Sequence, residues 1–104
     1  MKSLGYITSL TLGLAISGFG IADDVGPDKA IELVEQGAIK HFRELNKIAQ
    51  ALHPQAQIVD TELESHYGKY VYALELRGAD NVEWDVHLDA VTGDVLENRQ
   101  DQGD

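Results

Sequence analysis

Two periodicities divide this chain. Between Asp28 and Leu52 apolar residues recur three and four positions apart, at Ile31, Val34, Ala38, Phe42, Leu45, Ala49 and Leu52. That spacing is the stripe of an amphipathic helix. Pro27 suits a first helical position and Asp28 puts negative charge in the first turn, where the helix dipole favours it. Gly37 interrupts the pattern, since glycine costs about 1 kcal/mol inside a helix relative to alanine. The stripe therefore predicts a short first helix, a break over Gly37–Ile39 and a second helix from about Lys40 to Leu52. His53-Pro54 ends it, because the residue before a proline avoids the α conformation.

From Gln57 the period falls to two. Tyr70-Val71-Tyr72-Ala73-Leu74-Glu75-Leu76 and Trp84-Asp85-Val86-His87-Leu88-Asp89 alternate large apolar residues with small or charged ones, as a half-buried antiparallel sheet requires. Four strands follow: Gln57–Ser65, Lys69–Arg77, Val82–Asp89 and Asp94–Asn98. The turns fall at Tyr67-Gly68, at Gly78-Ala79-Asp80-Asn81 and at Thr92-Gly93. Parity turns Val59, Leu63, Tyr70, Tyr72, Leu74, Leu76, Trp84, Val86, Leu88 and one of Val95 or Leu96 inward. These should pack on Phe42, Leu45, Ile48, Ala49 and Leu52 of the second helix. The fold class is α+β, with N-terminal helices on one face of a four-stranded antiparallel sheet.

Residues 1–22 obey another logic. A basic start at Lys2, an apolar run from Leu4 to Phe19 and small residues at Gly20 and Ala22 have the layout of a secretory signal peptide. The rival is an uncleaved anchor, as the run just reaches the length of a membrane span; its glycines, hydroxyls and cleavage site favour removal. The expected organisation is signal peptide 1–22, disordered lead-in 23–26, folded domain 27–98 and polar tail 99–104. A periplasmic or secreted location follows, with no stable membrane insertion after signal removal.

Composition narrows the partners. Eight Lys and Arg against 18 Asp and Glu give a net charge of −10, so no basic footprint exists for nucleic acid. Cationic partners, basic peptides or metal ions are what this charge attracts. Cysteine is absent, leaving stability to the core alone.

Candidate chemistry is sparse. There is no Gly-x-Ser-x-Gly elbow, and Ser65 and His66 are strand neighbours that point to opposite faces. His41, His53, His66 and His87 lack ligand spacing and read as solvated or capping residues. The outward wall carries Glu62, Glu64, Glu75, Arg77, Glu83, Asp85, His87 and Asp89. Among these Glu83, Asp85 and Asp89 are the candidates for a hard cation, although no Asp-x-Asp-x-Asp-Gly loop is present. A half-buried sheet needs such a polar wall in any case, and neither a metal nor a cofactor is expected. Sheet edges offer another route, by accepting an added strand, with Val91, Tyr67 and Tyr70 as an apolar rim.

The strand Tyr70–Leu76, followed by Asp89-Ala90-Val91-Thr92-Gly93-Asp94-Val95-Leu96, resembles the PepSY domain. Members of that family end in a Tyr-x-Val-x-Leu-like strand and an Asp-Ala-x-Thr-Gly-x-Val-Leu hairpin. Gln36-Gly37-Ala38-Ile39 occupies the place of the Gly-x-Ile turn between two helices found in many of them. Pro54-Gln55 departs from the usual Pro-Gly. The resemblance covers roughly Ile39 to Asn98 and implies structural roles for Tyr72, Leu74, Leu76, Asp89, Thr92, Gly93 and Leu96. It carries no catalytic residues, so it implies binding and no enzyme. PepSY domains occur in propeptides of secreted metallopeptidases and as small stand-alone exported proteins. The implied function is an exported module that modulates or inhibits a peptidase or docks on an envelope protein. The alternative is a cation- or small-ligand-binding sensor component that uses the acidic sheet face.

Overall fold

The computed structural model describes residues 23–101; the expected signal peptide and the last tail residues, 102–104, lie outside that range. Strand β1 (Asp23–Asp24) leads into helices α1 (Pro27–Glu35) and α2 (Phe42–Leu52). Strands β2 (Gln57–His66), β3 (Lys69–Arg77), β4 (Glu83–Asp89) and β5 (Val95–Asp101) follow, with a short turn at Ala79–Asn81. The sheet order is β1-β2-β3-β4-β5 and every pairing is antiparallel. No described helix is long and apolar enough to cross a membrane.

The helix break falls where the glycine placed it. Gly37 has φ +74, and the amides of Gly37 and Ala38 donate back to the carbonyls of Val34 and Leu33 at 3.0 and 2.9 Å. This is a Schellman-type stop with glycine in the left-handed position. The break resets the helical phase. Consequently α1 buries Ala30 and Leu33, while Ile31, placed on the stripe by an uninterrupted count, is 55% exposed. Helix α2 opens on His41, whose Nδ1 accepts the Arg43 amide at 3.1 Å. At its far end the Gln50 amide group donates to the carbonyls of His53 and Ala56, which anchors the turn that lacks the usual glycine.

Leu45 and Ala49 of α2 are fully buried against Leu63, Tyr72, Leu74, Leu76, Val86 and Leu88, with Phe42, Ile48 and Leu52 packed around them. The parity of β3 and β4 is therefore as expected. That of β2 is not: the ladder slips between Ile58 and Asp60. A β-bulge inserts an unpaired residue and reverses facing on one side of it, so Ile58 packs on the core and Val59 is 42% exposed.

Three further expectations change. The sheet has five strands, because Asp23 and Asp24, expected as a disordered lead-in, pair with Ser65 and Glu64. The half-buried Val25 secures them by packing on the core and donating its amide to the Leu63 carbonyl at 2.8 Å. Strand β5 runs on to Asp101, into the segment expected as tail. A second slip, between His87 and Leu88, leaves both Val95 and Leu96 largely exposed, at 44% and 49%. Helix α2 does not reach over β5, and its inward positions are taken by polar residues such as Asn98, opposite Val86. There the His53 ring stacks on Trp84 with centroids 4.1 Å apart and reaches Asn98 Oδ1 at 2.7 Å.

Leu74 is almost fully buried at the middle of the central strand. Leu74→Ala is expected to lower stability by about 2–5 kcal/mol, read as a lower denaturation midpoint.

Candidate functional site

Asp89, Thr92 and Gly93 build the β4–β5 connection. One Asp89 carboxylate oxygen accepts the amides of Val91 and Thr92 at 2.8 and 3.1 Å, and Thr92 Oγ1 accepts the Asp94 amide at 3.1 Å. Gly93 donates to the Asp89 carbonyl at 2.7 Å and has φ +85. A Cβ on Gly93 would also stand 2.9 Å from Ile48 Cδ1. The conformation demands glycine here, and any side chain would also have to displace the end of Ile48. The motif is structural: it presses the hairpin against α2.

The three cation candidates are divided. Asp89 is committed to the turn, with Lys69 Nζ at 3.9 Å from its other oxygen. Asp85 faces the Arg99 guanidinium at 3.7 Å. Glu83 accepts from Arg77 at 2.9 Å, and its carboxylate gathers with those of Glu75 and Asp101. Among the described residues a second trio forms from Asp24, Glu62 and Glu64. Asp24 belongs to the strand that sequence periodicity does not reveal. His41 caps α2 and His53 braces β5; His66 contacts Glu64 at 3.1 Å and His87 lies 3.6 Å from Glu97. No two of the four are brought together as ligands.

The outer wall is electrostatically strained. Glu62 titrates above its ordinary value of 4.5, first because it shares a hydrogen bond with the Glu64 carboxyl and next because Asp24 stands beside it. Glu75 is also raised, mainly by desolvation and then by the charge of Glu83.

On the helix side, where β1 ends, a groove of about 590 Å³ opens between the start of α1, the start of α2 and the free side of β2. Gly26, Pro27 and Ala30 form one wall, and Phe42, Leu63 and Tyr72 the other. Phe42 and Tyr72 stack with centroids 5.3 Å apart. The Tyr72 hydroxyl donates to Asn46 Oδ1 at 2.8 Å, and burial raises its pKa. Thr61 lies in the groove, and Asp24 and Glu62 set carboxylates on its rim. Its size is typical of a ligand-binding cleft.

The family signature described as peptidase propeptide and YPEB domain, PepSY, matches residues 44–99, more than half of the chain. The chain belongs to the PepSY family. No curated protein and no solved structure matches it. The PepSY match runs from the first turn of α2 into β5 and takes in the hairpin motif. It leaves out β1, α1 and Phe42, so one side of the groove is added to the PepSY core by residues ahead of it.

The raised pKa of Glu62 has a consequence with a definite sign. A carboxyl whose folded value exceeds its unfolded one favours the folded state below the unfolded pKa, and that contribution is lost as pH rises through the folded pKa. Glu62→Gln should therefore melt higher than the parent at neutral pH. The gain should shrink on acidification and vanish once both folded and unfolded Glu62 are protonated, below 4.5. Thermal melts across that range provide the check.

Proposed function

We propose that this protein is an exported, non-catalytic binding module that modulates or inhibits a peptidase, or docks on another envelope protein. PepSY domains are linked to peptidase propeptides and typically belong to exported proteins, which supports both the class of partner and the compartment. The observation that carries the reading is the groove beside β2: a concave, aromatic-lined cleft next to a strand edge. Such an edge offers main-chain hydrogen bonds to an extended segment of another protein, and the cleft beside it holds side chains.

Sensing of a cation is the second reading, and the trio of Asp24, Glu62 and Glu64 is what favours it. Carboxylates this close repel one another until a hard cation or a proton relieves them. A calcium-dependent rise in melting temperature, lost in Glu62→Gln, is the result this reading requires.

The first reading is tested by titrating the purified domain into envelope extract containing a fluorogenic peptidase substrate. Saturable slowing of hydrolysis is expected, weakened by Phe42→Ala once that variant is shown by circular dichroism to be folded. Unaltered hydrolysis, with no envelope protein recovered by cross-linking, would overturn it.

A further inference from the structure

In β2 a short stretch of backbone lies open between the end of its pairing with β1 and the slip of pairing near Val59. Strand β1 covers only Ser65 and Glu64, and Val25 adds one bond to the Leu63 carbonyl. Between there and the bulge near Val59 no described strand lies alongside. In an antiparallel ladder alternate residues direct both N–H and C=O to the same side. The Leu63 carbonyl points away from β3, toward Val25. Thr61, two residues earlier on the same side of the bulge, directs its amide and carbonyl the same way, out of the sheet beside the groove.

The side chains around Thr61 divide by face. Leu63 and Tyr72, with Phe42 stacked on the latter, form an apolar surface on the helix side. Asp60 and Glu62, the immediate neighbours of Thr61, line a second depression on the outer wall together with Glu64 and Glu75. The nearest described cations on that wall are already paired: Arg77 with Glu83, and Arg99 with Asp85 and Glu97. A strand laid along this edge would thus meet apolar surface on one face and net negative charge on the other, where His66 stands 3.1 Å from Glu64.

We propose that this edge takes an extended partner segment in which a large apolar residue is flanked on both sides by Lys or Arg. The inference rests on the binding-module reading above and specifies the chemistry of its partner. The apolar side chain enters the groove over Phe42 and Tyr72 while the Thr61 backbone pairs with it. The two cations, one residue away on either side, turn to the opposite face and meet Asp60 and Glu62, with Asp24 and Glu64 close by. The elevated Glu62 pKa agrees, since repulsion among these carboxylates is what such cations relieve. The bulge limits the guest to a few residues, because the ladder cannot continue past it. The other edge, β5, lacks this arrangement: it carries Arg99 between Glu97 and Asp101, and the groove does not border it.

The test uses a labelled, end-capped peptide Leu-Lys-Phe-Arg-Leu, an isomer Lys-Arg-Phe-Leu-Leu that loses the alternation, and an acidic counterpart Leu-Glu-Phe-Asp-Leu. Binding to the domain beginning at Asp23 is followed by fluorescence anisotropy and by amide chemical-shift mapping. The alternating peptide should bind, with shifts centred on Thr61 and Glu62, and weaken as salt is raised. The isomer should bind about tenfold more weakly and the acidic peptide not measurably. Glu62→Gln should weaken the alternating peptide without unfolding the domain. Thr61→Pro, which removes the edge-facing donor together with the hydroxyl bonded to Tyr72, should abolish it; Thr61→Val, which removes the hydroxyl alone, should retain binding, and Asp101→Asn on β5 should change nothing. Equal affinity for the isomer, shifts centred on β5, or no binding would overturn the inference. Self-association abolished by Glu62→Gln would assign the edge to a second copy and overturn it as well. Peptidase slowing that survives Thr61→Pro would leave the binding-module reading standing while this one falls; peptide binding with unaltered hydrolysis and no cross-linked envelope protein would do the reverse.

Discussion

Ala90 is the joint of the molecule. It is completely buried; its amide donates to the Tyr70 carbonyl at 2.9 Å and its carbonyl accepts the Lys40 amide at 2.8 Å. These two bonds tie the β4–β5 turn to the start of β3 and to the segment that connects the helices. The amide and the carbonyl of Ala90 are both buried and would otherwise lack a partner, so leaving either bond open is costly. Asp89 and Thr92 shape the turn so that Ala90 can reach both partners, and Gly93 lets Ile48 come close beside it. The position of α2 on the sheet, and with it one wall of the groove, follows from this contact.

Much of this architecture was legible in the sequence, for identifiable reasons. The inward positions of the central strands β3 and β4 keep a period of two along their length and read directly, although Val71, on the opposite parity, is also buried. Gly37, Pro54 and Gly93 mark changes of direction that only a few residue types accept. What escaped were departures from strict alternation. Val59 and Leu96 lie at slips in pairing, and a bulge has no composition of its own, so parity counted through it turns the wrong residue inward. Ile31 fell out of place for the analogous reason, because a helical count was carried across a stop. Strand β1 was hidden by its brevity and by two aspartates, a residue type that strands disfavour.

The candidate site was less legible than the fold. Acidic residues on the outer wall could be named from parity, yet which of them meet depends on strand register and on partners. Glu83, Asp85 and Asp89 share a face but answer to different cations: Arg77, Arg99 and Lys69. The trio of Asp24, Glu62 and Glu64 joins residues some forty positions apart through a strand that no periodicity announces. The groove is likewise a product of tertiary structure, since Pro27, Phe42 and Tyr72 come from three separate elements. Surface ion pairs of this kind add little to stability; what they do is set a cation beside each of Glu83, Asp85 and Asp89.

The connectivity of the sheet bears on how the chain acquires its shape. Strands β2 to β5 form a meander in which each strand pairs with the next along the chain, so three hairpins can assemble from neighbouring residues. Strand β1 is different, because closing it onto Ser65 and Glu64 encloses both helices in one long loop. The N-terminal segment can therefore dock only onto a β2 that already exists. One wall of the groove therefore rests on the longest loop closure in the sheet, the pairing that costs the chain most entropy to make.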